Sequence, residues 1–155
     1  MFDDALDGYL NQLIPEREGV LAEMEAVAKE NNFPIIGPHV GRLLAILARA
    51  TGAKRIFEMG SGYGYSAAWF AQGLAPGGRI VCTDGSPRNR DKAMDYLERL
   101  GAAERVDFRV GNAIDLLRKE RKRYDIIYND IDKEQYPEAA DVAATRLRPG
   151  IVHYG

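Results

Sequence analysis

Residues 56–66 read Ile56-Phe57-Glu58-Met59-Gly60-Ser61-Gly62-Tyr63-Gly64-Tyr65-Ser66. An apolar, strand-like run leads into an acid, glycines follow at alternate positions, and the helix-compatible segment Ser66-Ala67-Ala68-Trp69-Phe70-Ala71 comes next. Strand, glycine turn and helix make a crossover suited to a cofactor. Glycine lets a ligand approach the main chain, and the helix start offers free N–H groups to an anion. The dinucleotide pattern Gly-x-Gly-x-x-Gly is not met, because position 65 is tyrosine and the third glycine falls one residue early, at Gly64. That spacing argues against NAD, and the Walker pattern fails because no Gly-Lys-Ser/Thr follows.

Downstream of this stretch, short apolar runs alternate with helical segments. Strands are predicted at Arg55–Met59, Arg79–Thr83, Val106–Val110 and Asp125–Asn129, with a fifth at Ile151–Tyr154. The intervening helices are Ser66–Leu74, Ser86–Leu100, Ala113–Lys122 and Pro137–Arg146. Ser86-Pro87 marks a helix start, with serine as cap and proline at the first helical position. Upstream, Val40, Leu43, Leu44 and Leu47 recur at helical spacing after Pro38. Two further helices, over residues 3–14 and 16–30, are separated at Pro15. The fold class is therefore α/β, a doubly wound, mostly parallel sheet with right-handed crossovers. The whole chain, residues 1–155, reads as one domain: N-terminal helices over residues 1–34, then a cofactor-binding core over 35–155.

A chain of 155 residues can bury a core without disulfide or structural metal. The single cysteine, Cys82, lies in the apolar run Ile80-Val81-Cys82-Thr83, which suits a buried thiol in a reducing cytoplasm. No signal peptide or membrane-spanning run is read, and the expected location is cytoplasmic. A net charge of -2 gives no broad attraction to nucleic acid, and no membrane partner is expected. The basic run Arg118–Arg123 is read as a solvated helix end.

In a doubly wound sheet, ligands sit at the carboxyl ends of the strands near the point where strand order reverses. The rim there comprises Gly60–Gly64, Asp84-Gly85-Ser86, Gly111-Asn112-Ala113 and Asp130–Lys133. Glu58 beside the glycine loop suits an ammonium and would repel a pyrophosphate. Asp84 ends the second strand, where a carboxylate can accept hydrogen bonds from ribose hydroxyls. Asp130 and Asp132 point the same way if the backbone is extended, and oxygen donors of this kind suit Mg²⁺. Lys133 beside such a cation would serve as a base; an Asp/Lys ion pair on a loop fits the same residues equally well. Ser66 is read as a helix-start hydrogen-bonding group and a contact for a ligand carboxylate. His39 and His153, the only histidines, exclude a histidine-rich metal cluster.

From Pro38 to Gly150 the sequence resembles class I S-adenosylmethionine-dependent O-methyltransferases of the catechol and caffeoyl-CoA type. The resemblance rests on Glu58-Met59-Gly60-Ser61-Gly62-Tyr63-Gly64-Tyr65-Ser66 and on Tyr124-Asp125-Ile126-Ile127-Tyr128-Asn129-Asp130-Ile131-Asp132-Lys133 followed by Tyr136. It implies a Rossmann-like methyltransferase fold and S-adenosylmethionine as cofactor, with Glu58, Gly60, Ser61, Gly62 and Ser66 toward its methionine half. Asp84 and Gly85 would serve the ribose, and Ala113 would lie against the adenine. Asp130, also in the cofactor set, would ligate Mg²⁺ or another divalent cation, and Lys133 would help remove the substrate proton. The implied reaction is methyl transfer to a hydroxyl of a small phenolic or catechol-like substrate, in a homodimer.

Two departures bear on this expectation. The family supplies further metal ligands from an Asp-Asn pair after its fifth strand, whereas no Asp or Asn follows Asp141 here. The sheet is expected to be short of its C-terminal strands. A non-catalytic S-adenosylmethionine-binding or scaffold protein, lacking a complete metal site, is the competing expectation.

Overall fold

The computed structural model describes residues 6, 9, 10, 12–14, 16, 17 and 19–149. Its strands are β1 (Arg55–Met59), β2 (Arg79–Asp84), β3 (Val106–Val110) and β4 (Ile126–Asn129). They pair in parallel in the order β3-β2-β1-β4. The helices are α1 (Gly19–Glu30), α2 (Pro38–Ala50), α3 (Tyr65–Gly73), α4 (Pro87–Arg99), α5 (Ala113–Lys119) and α6 (Tyr136–Arg146).

Alternation along the strands explains the layering, since successive side chains leave opposite faces of a sheet. Ile56, Ile80 and Cys82 join a core with Leu44 and Ala48 of α2, Phe70 of α3 and Leu97 of α4. Phe57, Met59 and Val81 point the other way, onto Leu117 of α5 and Ala139 and Ala143 of α6. Both faces are covered, as a parallel sheet requires. Helix α1 lies outside the first layer and buries Met24 among Tyr65, Trp69 and Tyr96.

Boundaries shift by a few residues from the sequence expectation. β2 extends to Asp84, α3 starts at Tyr65, α6 starts at Tyr136 and β4 starts at Ile126. α5 ends at Lys119, so the basic run is only partly helical; Glu120 there is already extended, with ψ 139°. The second N-terminal helix begins at Gly19 rather than residue 16. Within the predicted helix over 3–14, Leu6, Tyr9, Leu10 and Gln12 are helical, and its other positions up to Asn11 lie outside the described residues. The predicted fifth strand and His153 also lie outside them. Leu147, after α6, forms a single parallel bridge with Tyr124 beside β4.

Register places the site. Thr83, Met59 and Asn129 are aligned across β2, β1 and β4. One residue further on, Asp84, Gly60 and Asp130 therefore stand abreast, with the two acids about 10 Å apart across two strand spacings. Main-chain bonds hold this row: the Gly60 N–H donates to the Thr83 carbonyl at 3.1 Å and the Asp130 N–H to the Met59 carbonyl at 2.8 Å. The chain reverses its direction of travel across the sheet between β1 and β4, so this is also the topological switch point.

Candidate active site

The glycine loop is held against both neighbouring strands. Gly60 adopts φ 83°, and a Cβ added to it would lie 2.8 Å from the Asp130 carbonyl carbon. Only glycine fits both the conformation and the space. Gly64, with φ 81°, precedes α3 and leaves that helix start without a side-chain cap, open to a ligand.

Beneath the loop lies Glu58, with no exposed surface. Ser61 Oγ donates to one of its carboxylate oxygens at 2.8 Å, Ser66 Oγ donates to the other, and Cys82 Sγ approaches the first at 3.5 Å. Thr83 closes the knot: its hydroxyl donates to the Glu58 carbonyl at 2.8 Å and its N–H to Ser61 Oγ at 3.1 Å. Burial raises the Glu58 carboxyl to about 7, against the opposing pull of hydrogen bonds from Ser66, Ser61 and Cys82. Burial likewise pushes the Cys82 thiol upward.

Asp84 spans the next gap. One oxygen accepts from the Gly62 N–H at 3.0 Å; the other accepts from the Ser86 N–H at 2.8 Å and from Asn89 Nδ2 at 3.0 Å. Three of roughly four acceptor positions on this carboxylate are thus occupied, which leaves one. The Asn112 side chain caps α5 by accepting from the Asp115 N–H at 3.0 Å.

Two cavities adjoin over Gly60. One, of about 270 Å³, is lined by Phe33–Ile36, Gly60–Tyr63, Tyr65, Ser66, Asp84 and Asp130. The other, of about 510 Å³, runs over Thr83–Gly85, Gly111–Ala113 and Asp130–Asp132 to Gln135. Pro34, Gly60, Asp84 and Asp130 border both, so the two form one trough. It brings together Gly60, Ser61, Gly62, Ser66, Asp84, Gly85, Ala113, Asp130 and Asp132. Glu58 sits under the trough floor rather than in its lining, and Lys133 stands beside it as the exposed first residue of the 3₁₀ turn Lys133–Gln135. Asp130 is exposed, yet desolvation by the surrounding loops raises its carboxyl. The linker wall Phe33–Ile36 and Gln135 were not foreseen from sequence. Among the described residues no three His, Cys, Asp or Glu side chains converge as a metal site.

The O-methyltransferase family model matches residues 14–152. The chain belongs to the O-methyltransferase family. As a family member it is 32% identical over 154 residues to a catechol O-methyltransferase of Niastella koreensis, spanning 95% of this chain and 69% of that protein. Among solved structures, an O-methyltransferase from Bacillus cereus in complex with SAH superposes with a TM-score of 0.87 at 33% identity, over 96% of this chain and 70% of that one. An O-methyltransferase of tomaymycin synthesis from Streptomyces achromogenes, solved with SAM, gives a TM-score of 0.86 at 31% identity, over 96% and 70% of the two chains. The resemblance carried by the glycine stretch and by the residues around Asp130 is thereby confirmed at the level of family and fold.

Proposed function

We propose that this O-methyltransferase moves the methyl group of S-adenosylmethionine to a hydroxyl of a small phenolic or catechol-like molecule. The observation that carries the reading is the row Asp84–Gly60–Asp130, with a trough running along it and a glycine turn at its centre. The shape fits the cofactor: an uncapped helix start beyond the loop for a carboxylate, an acid at one end for a ribose, and Ala113 offering an apolar surface to an adenine. When bound, the cofactor supplies a sulfonium whose methyl group is already activated.

The chain's own residues then have three tasks. Ser61 and Ser66 line the methionine end, and Glu58 acts through them by fixing both hydroxyls from below. Asp84, already locked to Gly62, Ser86 and Asn89, turns its remaining acceptor position to the ribose beside Gly85. On the acceptor side, Asp130 orients the substrate and Lys133 takes the hydroxyl proton as the O–CH₃ bond forms and the S–CH₃ bond breaks. Orientation of this kind lowers a barrier by up to about 7–11 kcal/mol.

Among the described residues no third acid, histidine or cysteine converges with Asp130 and Asp132, so they do not by themselves complete a divalent-cation site and no step is derived through one. That shortfall favours a second reading, a cofactor-binding protein without turnover. The buried, unpaired Cys82 supports residence in a reducing compartment such as the cytoplasm. Val40, Leu43 and Ile46, exposed by 42%, 51% and 54% along α2, support association with a second copy. No helix among the described residues is long and apolar enough to cross a membrane.

Calorimetric titration with S-adenosylmethionine, followed by a methylation assay on catechol with and without Mg²⁺, tests the proposal. Binding with turnover supports it; binding without turnover supports the second reading; absence of binding sinks both.

A further inference from the structure

The outer wall of the trough is the linker between α1 and α2, not part of the sheet. Its geometry is set at Asn32, which takes φ 49°, and by the Phe33 N–H donating to the Ala28 carbonyl at 2.8 Å. The chain thus turns sharply after α1 and carries the Phe33 ring onto the glycine loop. There the ring stacks on Tyr63, with centroids 3.8 Å apart and planes inclined by 12°. Gly62 makes room for it, since a Cβ at that position would lie 2.9 Å from the Phe33 ring.

Lys92 of α4 holds its ammonium 3.9 Å from the centre of the Tyr63 ring. Phe33 already occupies one face at a similar distance, so the cation sits on the other. Tyr63 is therefore clamped between a ring from the linker and a cation from α4, at the edge of the cavity that Phe33 and Tyr63 both line. The linker's other end is anchored separately, with Ile35 and Ile36 against the cluster of Met24, Tyr65, Trp69 and Tyr96. Phe33 is the point at which the wall meets the loop.

We propose that Phe33, Tyr63 and Lys92 form a clasp that retains the nucleoside cofactor: the linker must part from Tyr63 for the ligand to enter or leave the trough. This rests on the reading of the trough as the S-adenosylmethionine site. A ring stack with a cation on its far face shifts an equilibrium on the order of tenfold. That is strong enough to hold a ligand through transfer and weak enough to release the demethylated product each cycle. Neither Tyr63 nor Lys92 is assigned a part in the chemistry.

Displacement of S-adenosylhomocysteine from the full chain, followed by stopped flow, tests the clasp. Phe33→Leu and Tyr63→Leu should each raise the dissociation rate about tenfold. The double variant should exceed the faster single by less than about twofold, because both remove one contact. Tyr63→Phe, which keeps the ring, should match the parent, and Lys92→Met, which leaves the stack intact, should speed release about threefold. Circular dichroism melts of the unliganded variants separate loss of the clasp from loss of fold. Dissociation rates all within twofold of the parent, or effects of Phe33 and Tyr63 that multiply independently, would overturn the clasp while leaving the cofactor site standing. If the parent chain fails to bind S-adenosylhomocysteine, the site reading itself falls, and the clasp with it.

Discussion

Gly60 faces the main chain of Asp130 so closely that even a methyl group has no place between them. The added Cβ would lie 2.8 Å from the Asp130 carbonyl carbon, in a backbone conformation of φ 83°. Gly60→Ala is therefore expected to cost about 2–4 kcal/mol of stability and to abolish cofactor binding. Gly85, also in the trough lining, has nothing within 4 Å of an added Cβ, and Gly85→Ala is expected to change stability by less than about 0.5 kcal/mol. Thermal melts of the two variants check the contrast; equal destabilisation would refute it.

Asp84 ties the glycine loop to the start of α4. Asp84→Ala leaves the Gly62 and Ser86 N–H groups and the Asn89 amide without their acceptor. The expected loss is about 1–3 kcal/mol in stability and at least about tenfold in cofactor affinity. Asp84→Asn keeps the shape but has one acceptor oxygen; turned to Ser86 and Asn89 it leaves the Gly62 N–H without an acceptor, so it should recover part of the stability but not the affinity. Calorimetry beside denaturant titration distinguishes the two effects.

Glu58 gives a pH signature. Its folded carboxyl is raised to about 7 by burial, from an ordinary value of 4.5. The folded state thus holds a proton that the unfolded chain releases, and stability falls as pH rises through that window. The contribution is fully present below the ordinary value and gone above about 7, a change on the order of 3 kcal/mol. Asp130, raised in the same direction, adds a slope of the same sign. Glu58→Gln, a neutral mimic of the protonated acid, should flatten the Glu58 part, so urea midpoints of parent and variant should converge toward low pH and diverge toward high pH, with the variant the more stable there. Parallel curves would show that Glu58 does not titrate there.

On the proposed reading, the acceptor side separates from cofactor binding. Lys133 is exposed and lies outside the trough lining. Lys133→Met is expected to lower the turnover number by at least about a hundredfold while leaving S-adenosylmethionine affinity within about twofold. A matched fall in affinity would place Lys133 in the cofactor site instead.

Much of this arrangement is legible in the amino-acid order, for a definite reason. Asp84, Gly60 and Asp130 each close or directly follow a mostly apolar, strand-like run, and in a parallel sheet such run ends gather on one rim. Glu58 is only half legible: its position at a strand end is evident, whereas its burial depends on the hydroxyls of Ser61 and Ser66 folding back over it. The linker Phe33–Ile36 is not legible at all. It carries neither the period of a helix nor that of a strand, and its place over Gly62 is set by the turn at Asn32 and by an aromatic partner thirty residues away.

The aligned strand ends divide the molecule in a way that matters for recombination. On the proposed reading, the residues that grip the donor's methionine end and ribose lie between Phe33 and Lys92, whereas those assigned to the acceptor begin at Asp130. The two groups meet along β1 and β4 and through the close approach of Gly60 to Asp130. An exchange of the residues from β4 to α6 for those of a relative with a different acceptor must therefore keep the Met59–Asn129 register, Gly60 and the packing of Ala139 and Ala143 on Leu117.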